Sequence, residues 1–261
     1  SDRGAHLVGP AAGQQACGDI GPGRMEEPHL IADAAGKLFS RGLLAGRKVV
    51  ITAGPTREAL DPVRYISNHS SGKMGYALAQ ASVDAGALTT LVSGPVNLAP
   101  PDHVRCLGVE SAEQMLERCL ELMAECDIFI ACAAVADYRP AVVQQQKIKK
   151  GAERLTLELT RNPDIVAAVA ASENRPFTVG FAAETNDVLR YARDKMGRKG
   201  LDMIVANDVS DRSIGFNSDV NEVTALWRDG EQMLERADKG AIARQIVELI
   251  AKQINDERAF K

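Results

Sequence analysis

Short apolar runs alternate with amphipathic stretches along most of the chain, from Arg47 onward. The runs are rich in Val, Ile and Ala, as expected of strands that are buried on both faces of a parallel sheet. The predicted strands are "KVVITA", "LTTLVSG", "DIFIACAAV", "FTVGFAA" and "DMIVAND". The predicted helices between them cover about 72–85, "ESAEQMLERCLELMAEC", "PDIVAAVAA" and "DVLRYARDKMGRKG". This pattern predicts an α/β fold, Rossmann-like and doubly wound, with a mainly parallel sheet and helices on both faces.

Two further segments break the alternation and are predicted to add antiparallel strands. "ERLTLELTR" alternates polar and apolar residues with a period of two, which is typical of a half-exposed strand. "NEVTALWRDGEQMLE" predicts a hairpin that turns at Asp229 and Gly230, and "KGAIARQIVELIAKQI" predicts a terminal helix after it.

The first 46 residues differ from the rest of the chain. "GPAAGQQACGDIGPGRMEEPH" is crowded with Gly and Pro and predicts a loop, and "HLIADAAGKLF" predicts a short helix. This segment has too little apolar surface to offset the entropy of chain ordering, so we expect it to be largely disordered. The sequence therefore predicts two regions, 1–46 and 47–261.

Composition limits the classes of partner. The chain has 261 residues and a formal net charge of -4, so it has no general attraction to nucleic acid or to an anionic membrane, and any basic site must be local. No apolar run approaches the about 20 residues that span a bilayer. The five cysteines have irregular spacings without a CxxC pair, which favours reduced thiols in a cytoplasmic protein over a zinc site or a disulfide framework.

Ligands of open α/β sheets bind beyond the carboxyl ends of the strands, so the loops there are expected to carry the binding site. The first loop leads into a helix predicted to begin near Ser70, Ser71 and Gly72, whose free amides and positive dipole end favour an anion. In the alternative interpretation the serines only cap the helix and the glycines only allow close packing. That alternative leaves Asn68 and Arg57 unexplained.

The same loop matches neither of two common phosphate-binding turns. It is not a Walker A loop, because Met74 stands where a Ser or Thr would follow the lysine and meet magnesium. It also lacks the compact GxGxxG turn that brings a dinucleotide pyrophosphate close to the backbone. A dinucleotide cofactor is therefore disfavoured.

Other candidate side chains follow the later strands. The Asp137 carboxylate is placed either to accept hydrogen bonds from a base amine or a ribose hydroxyl or to cap a helix, and the sequence supports both equally. "KIKK" at 147–150, and Lys195 with Lys199 on one helical face, are either solvated surface residues or a clamp for phosphates. "RNPDIV" predicts a helix start with Pro163 near its first turn and amides available to a ligand.

Several of these motifs, in this order, closely resemble the phosphopantothenoylcysteine synthetase domain of the bacterial coenzyme A pathway. They are "ITAGPTREALDPVRYISNHSSGKMG", "AAVADYRP", "KIKK", "NPDIV", "GFAAET", "ANDVS" and "GFNSD", and they extend from about Arg47 almost to the C-terminus. "ACGDIGPGRM" at 16–25 is similar to the closing segment of the flavin-dependent decarboxylase domain that precedes the synthetase in bifunctional bacterial proteins. We therefore expect the chain to be the C-terminal part of such a protein.

The resemblance implies condensation of 4'-phosphopantothenate with L-cysteine, driven by CTP through an acyl-cytidylate intermediate. It further implies Mg²⁺ bound with CTP, a homodimer, and a larger homo-oligomer for the full-length protein; FMN is expected only in the missing decarboxylase domain. The alternatives are a nicotinamide-dependent oxidoreductase, which the fold class alone suggests, and a non-catalytic nucleotide-binding module.

The resemblance also implies roles for individual residues. Asn68 and Lys147 match the catalytic positions, whereas Cys17 matches the proton donor of the decarboxylase and is expected to be idle here. The positions that match CTP-binding residues are Ala131, Cys132, Ala133, Asp137, Lys147, Pro163, Asp164, Ile165, Val166, Phe181, Lys195 and Lys199. For the acyl substrate the motifs imply Asn68, Lys149 and Lys150. The free amides and dipole of the predicted helix start, rather than the resemblance, add Ser70, Ser71 and Gly72 as candidates for its phosphate. No protein side chain is predicted to ligate a metal.

Overall fold

A computed structural model describes residues 7–14, 18–39, 42–149, 153–184, 187–208 and 218–259. Contacts between residues divide the chain into two compact units, Ser1–Gly42 and Leu43–Lys261. The domain division predicted after residue 46 lies close to this boundary and stays a prediction.

The first unit contains two short strands and one helix. Strand β1 (Ala11–Gln14) pairs antiparallel with β2 (Ile20–Arg24), and α1 spans Pro28–Phe39. The predicted short helix is confirmed. The prediction of a loop before it was wrong for these two strands, because their backbone ladder forms from small residues, Gly and Pro that carry no period-two pattern. The expected disorder of this segment stays a prediction.

The second unit contains a large mixed sheet, two small two-stranded sheets and the remaining helices. In chain order its strands are β3 (Lys48–Ala53), β4 (Arg57–Ala59), β5 (Tyr65–Ser67), β6 (Leu88–Ser93), β7 (Arg105–Gly108), β8 (Ile128–Ala131), β9 (Tyr138–Pro140), β10 (Leu159–Arg161), β11 (Phe177–Glu184), β12 (Met203–Asp208), β13 (Val220–Trp227) and β14 (Gly230–Asp238). Its helices are α2 (Lys73–Asp84), α3 (Ala112–Leu122), α4 (Ile165–Ala170), α5 (Val188–Lys199) and α6 (Lys239–Ala259), and a 3-10 turn, Met123–Glu125, follows α3.

The large sheet has eight strands in the order β14-β13-β12-β11-β8-β3-β6-β7. The six strands from β12 to β7 are parallel to one another, β13 pairs antiparallel with β12, and β14 pairs antiparallel with β13. When only the parallel strands are counted in chain order, their arrangement is that of a Rossmann sheet, with the order reversing between β3 and β8. The predicted fold class is confirmed.

Successive residues of the central strands point to opposite faces of the sheet, as the pleat requires. In β3, Val49 and Ile51 join the apolar core on the side of α2 and α6, whereas Val50 joins the core on the side of α3 and α4. In β8, Ile128 and Phe129 divide in the same way. Because both faces are covered, the strands read as continuous apolar runs in the sequence.

The added strands follow the predictions only in part. The late hairpin is confirmed, with β14 beginning at Gly230. In "ERLTLELTR" only the last three residues form a strand, β10, which pairs with β9 outside the large sheet. The prediction of half burial for 153–161 was wrong, because these residues are exposed throughout. Within the described ranges, no helix is long and apolar enough to cross a bilayer.

Helix α2 begins unusually close to the end of β3. A Cβ atom added at Gly75 would lie 2.5 Å from the Ala53 Cβ atom. Gly72, which caps the helix with a φ of 78°, leaves room for Val96, whose Cγ1 atom would lie 2.7 Å from an added Cβ. Only glycine at both positions lets the first turn of α2 lie against the carboxyl edge of the sheet.

The contact at Gly75 predicts that a single added methyl group substantially lowers the free energy of unfolding. Gly75→Ala should lower the free energy of unfolding by about 1–3 kcal/mol, because the added Cβ overlaps a buried strand. Gly197→Ala is the matched control in α5, where nothing lies within 4 Å of an added Cβ, and should raise it by up to about 1 kcal/mol. Urea unfolding of both variants measures the difference. Equal transition midpoints would contradict the close approach of α2 to β3.

Candidate functional site

The loops after β3 and β8 continue to pair beyond the end of the sheet. The Ala134 amide donates to the Gly54 carbonyl at 2.9 Å, and the Thr56 amide donates to the Ala134 carbonyl at 3.2 Å. The Asn68 side-chain nitrogen donates to that same Ala134 carbonyl at 2.9 Å. Asn68, although it lies far along the first loop, is therefore held beside the loop that follows β8.

Two buried threonines complete this junction. The Thr52 hydroxyl accepts from the Ala133 amide at 3.2 Å, and the Thr56 hydroxyl accepts from the Ala136 amide at 3.0 Å. Both threonines are buried, so these bonds are shielded from water. The backbone from Ala133 to Ala136 thus has a fixed position relative to β3.

A cavity of about 480 Å³ opens on the side of the sheet that carries α4 and α5. It brings together most of the side chains predicted to bind a nucleotide. The predicted residues that line it are Ala131, Ala133, Asp137, Pro163, Asp164, Ile165, Val166, Phe181, Lys195 and Lys199. We call it the first cavity.

The lysines of the first cavity project from one face of α5, as their spacing predicts. Lys199 Nζ forms an ion pair with the Asp164 carboxylate at 2.9 Å, and Lys195 Nζ donates to the Phe181 carbonyl at 2.9 Å. Asp164 also caps α4 by accepting from the Ala167 amide at 3.1 Å. The predicted helix start is confirmed, with Pro163 directly before the cap residue Asp164. The prediction that its amides are available to a ligand needs correction at Ala167, because that amide is already bound by Asp164.

Asp137 is exposed at the mouth of the first cavity. The suggestion that it caps a helix was wrong, because Tyr138, the next residue, begins strand β9. Asn162, which the sequence analysis did not single out, fastens this loop. Its amide donates to the Asp137 carbonyl at 2.9 Å, and its side-chain nitrogen donates to the Ala136 carbonyl at 2.7 Å. The sequence feature that could have identified Asn162 is its position directly before the proline in "RNPDIV".

A second cavity, of about 470 Å³, opens on the side of α2 and α6. Of the residues predicted to bind the acyl substrate, it contains Asn68, Ser70 and Gly72, whereas Ser71 does not line it. The interpretation of the serines as helix caps was wrong, since Gly72, which has no capping side chain, occupies the cap position. Ser70 instead accepts from the Gly72 amide at 3.3 Å. The first turn of α2 borders the second cavity through Gly72, Lys73, Met74 and Gly75.

Two lysines that the sequence analysis missed line the second cavity. Lys239, the first residue of α6, is only 6% exposed, and its burial together with nearby Lys73 lowers the pKa of its ammonium group. Lys73 Nζ forms an ion pair with Asp219 at 2.6 Å. Neither lysine lies in a basic run, so only the fold reveals that they share a cavity.

Cys132 lies in the second cavity, although it was predicted with the nucleotide-binding residues. The reason is the alternation of an extended chain, which turns Cys132 away from the side that Ala131 faces. Burial raises the pKa of the Cys132 thiol to about 12, so the group is protonated near neutral pH.

The remaining predicted residues lie apart from both cavities or outside the described residues. Lys147 and Lys149 are exposed and line neither cavity. The Arg57 guanidinium stacks over the Tyr65 ring at 4.7 Å and also lines neither. Cys17 and Lys150 fall outside the described residues.

The two cavities adjoin over the ends of β8 and β11. The residues that line both are Ala133, Val135, Asp137, Phe181 and Lys195. A carboxylate, an ammonium group and an aromatic ring thus stand between them. The arrangement suits two ligands that meet at this shared wall, at least one of them anionic.

Comparisons with known proteins agree with this architecture. A family model for the DNA/pantothenate metabolism flavoprotein C-terminal domain matches residues 44–254. The coenzyme A biosynthesis bifunctional protein CoaBC of Vibrio cholerae is 56% identical over 255 residues, which cover 97% of this chain and 64% of that protein. The protein of the same name from Escherichia coli (strain K12) is 50% identical over 262 residues, which cover 98% of this chain and 64% of that protein. This chain therefore spans less than two thirds of the length of these relatives.

A solved structure is similar in both sequence and fold. The crystal structure of the C-terminal domain of a coenzyme A biosynthesis bifunctional protein CoaBC matches with a TM-score of 0.71 and 41% identity, covering 82% of this chain and 99% of that one. The chain belongs to the DNA/pantothenate metabolism flavoprotein C-terminal domain family.

Proposed function

We propose that this chain is a phosphopantothenate–cysteine ligase, which condenses 4'-phosphopantothenate with L-cysteine at the expense of CTP. The observation that carries the proposal is the pair of adjoining cavities, with a shared wall of Asp137, Phe181 and Lys195. A ligase of this type must bring a nucleoside triphosphate and an acyl acid into contact, and two sites that meet at one wall meet that need.

The first cavity is proposed to bind CTP. Lys195 and Lys199 supply positive charge for its phosphates, and the exposed Asp137 carboxylate is placed to accept hydrogen bonds from the ribose or the base. The motif resemblance supports CTP in particular, because residue types alone do not distinguish cytosine from adenine.

The second cavity is proposed to bind phosphopantothenate. The first turn of α2 and the ammonium groups of Lys73 and Lys239 surround it, which suits the phosphate end of that acid. Asn68 stands near the shared wall. Its side-chain nitrogen carries two N–H donors, of which one binds the Ala134 carbonyl and the other is proposed to hold the reacting carbonyl group.

The reaction has two steps in this proposal. A carboxylate oxygen of phosphopantothenate attacks the α-phosphorus of CTP, forming a P–O bond as pyrophosphate leaves. The amine of L-cysteine then attacks the acyl carbon, forming a C–N bond as the C–O bond to CMP breaks and the amine loses a proton. The residues of the two cavities align these anions and stabilise charge as it develops, and no nucleophilic side chain is required.

The residues of "KIKK" at 147–150, which we call the basic segment, are proposed to act on the triphosphate together with magnesium. Lys147 is assigned to the first step and Lys149 and Lys150 to its support, from their match to the family motif. Mg²⁺ is expected to be bound mainly through the phosphates of CTP. Among the residues with described positions, no group of three or more His, Cys, Asp or Glu is arranged to hold a metal.

The wider setting of the chain is also a proposal. The similar proteins are named as bifunctional, and we propose that the FMN-dependent decarboxylase activity belongs to a domain other than the one described here. We also propose that this chain forms a homodimer and that the full-length protein forms a larger homo-oligomer. The proposed location is the cytoplasm. Nucleic acid and membranes are not expected partners.

Turnover of the purified chain tests the proposed function. Phosphopantothenate, L-cysteine and CTP with Mg²⁺ should yield pyrophosphate, CMP and phosphopantothenoylcysteine, measured by coupled pyrophosphate detection and mass spectrometry. ATP in place of CTP tests the preference for the base. CTP binding without turnover would instead support a nucleotide-binding module, and reduction of NAD or NADP without CTP consumption would support an oxidoreductase.

Asn68→Asp should slow amide formation about a hundredfold while slowing pyrophosphate release much less, because a carboxylate cannot donate to the reacting carbonyl. Single-turnover assays of pyrophosphate and of product separate the two steps. Asn174→Asp, the same change at an exposed turn, is the control and should match the unaltered protein. Equal losses in both steps would refute the role given to Asn68.

A further inference from the structure

Asp61 is a carboxylate in an unusual position for a loop residue. It follows β4, and its side chain has 0% exposure. Its Oδ1 atom accepts from the Val63 amide at 2.8 Å and from the Arg64 amide at 2.9 Å, which forms the turn between β4 and β5. These two bonds satisfy the turn itself and leave the second oxygen for another purpose.

The Oδ2 atom of Asp61 reaches a distant part of the chain. It accepts from Arg64 Nε at 3.0 Å, from an Arg64 terminal nitrogen at 2.6 Å, and from the Ile148 amide at 3.0 Å. The same Arg64 nitrogen donates to the Ile148 carbonyl at 2.8 Å. Both backbone polar groups of Ile148 are therefore bound to one ion pair, in which the Asp61 side chain is buried and the Arg64 side chain is 44% exposed. We call these contacts of Asp61 and Arg64 with Ile148 the latch.

Charge and hydrogen bonding make the latch strong. The Arg64 guanidinium, assisted by the donated amides of Ile148, Val63 and Arg64, holds the pKa of the Asp61 carboxyl well below its usual range. Charge-assisted and bidentate contacts of this kind are among the stronger hydrogen bonds in proteins. A further bond, from the Gln144 amide to the Leu60 carbonyl at 3.0 Å, holds the preceding part of the same segment.

The latch joins the two groups to which the proposed function gives catalytic roles. Ile148 lies between Lys147 and Lys149 in the basic segment. On the other side, the loop of Asp61 and Arg64 runs through β5 directly into Asn68, which is itself fixed to the Ala134 carbonyl. A displacement of Ile148 would therefore move Lys147 relative to Asn68.

We propose that Asp61 is a positioning residue, which acts through the latch to hold Lys147 in register with Asn68 for the first step of the reaction. This inference rests on the proposed function, because it takes Lys147 to serve acyl-cytidylate formation. Asp61 contacts no substrate in this account. Of the five hydrogen bonds that Asp61 accepts, four come from Val63 and Arg64, and the fifth, from the Ile148 amide, holds the basic segment.

A double-mutant cycle tests whether Asp61 acts through Lys147. Asp61→Asn removes the charge with little change of shape, and Lys147→Gln removes the ammonium group. Each should slow acyl-cytidylate formation, followed as pyrophosphate release, by about tenfold or more, and the double variant should be no more than about twofold slower than the slower single variant. Asp102→Asn, the same change at an exposed loop residue, is the control and should leave the rate unchanged.

Limited proteolysis tests whether the latch holds Ile148, independently of enzymatic activity. Trypsin should cut after Lys147 faster in Asp61→Asn than in the unaltered protein or in Asp102→Asn, because Ile148 loses its partners. If Asp61→Asn does not fold, Arg64→Lys provides the same test, since it keeps a positive charge beside Asp61 but loses the planar fork that also reaches the Ile148 carbonyl. Circular dichroism establishes folding in each case.

The proposal would be overturned if the fold-losses of rate in Asp61→Asn and Lys147→Gln multiplied in the double variant. Trypsin cleavage that stays unchanged in both latch variants, Asp61→Asn and Arg64→Lys, would also overturn it. A normal rate in Lys147→Gln would also overturn it, because Asp61 would then have no catalytic lysine to position. That result differs from failure of the proposed function itself, which would appear as absence of CTP-dependent product with the unaltered chain.

Discussion

The parallel pairing of β3 with β8 is the constraint on which the candidate site depends. The strand order reverses between these two strands, so the chain segments that leave them diverge to opposite faces of the sheet. Before they diverge, the two loops stay paired through Ala134, which exchanges backbone hydrogen bonds with Gly54 and Thr56. This backbone pairing keeps Asn68 beside the loop after β8, and the rest of the site is arranged around it.

The two faces of the sheet then give the site its two compartments. Helices α4 and α5 border the first cavity, and α2 and α6 border the second, while Asp137, Phe181 and Lys195 stand at the strand ends between them. A chain with a formal net charge of -4 thus concentrates lysines on both sides of one wall. Close glycine contacts at the start of α2 bring helix amides to the same place, at a position where a methyl group does not fit. Local charge, rather than overall charge, is what suits the site to anionic ligands.

The sequence predicted five of the six parallel strands and the helices between them, because burial on both faces produces long apolar runs. It did not predict β7, β4 or β5, since these are short strands without continuous apolar residues. Motif order predicted most of the first cavity, from Asp137 to Lys199. It grouped the backbone from Ala131 to Ala133 together, whereas the Cys132 residue lines the second cavity, because a motif does not record the alternation that turns neighbouring side chains to opposite faces.

Lys239 shows most clearly what sequence reasoning misses. Its neighbours along the chain are Asp238 and Gly240 rather than basic residues, and it lines the second cavity because α6 packs there. Calorimetric titration of Lys199→Met shows whether the two cavities bind different ligands, because Lys199 lines the first cavity and not the second. We expect the Kd for CTP to rise about tenfold or more, through loss of a charge-assisted contact, while the Kd for phosphopantothenate stays within about twofold. Equal weakening of both ligands, or weakening of phosphopantothenate alone, would contradict this expectation.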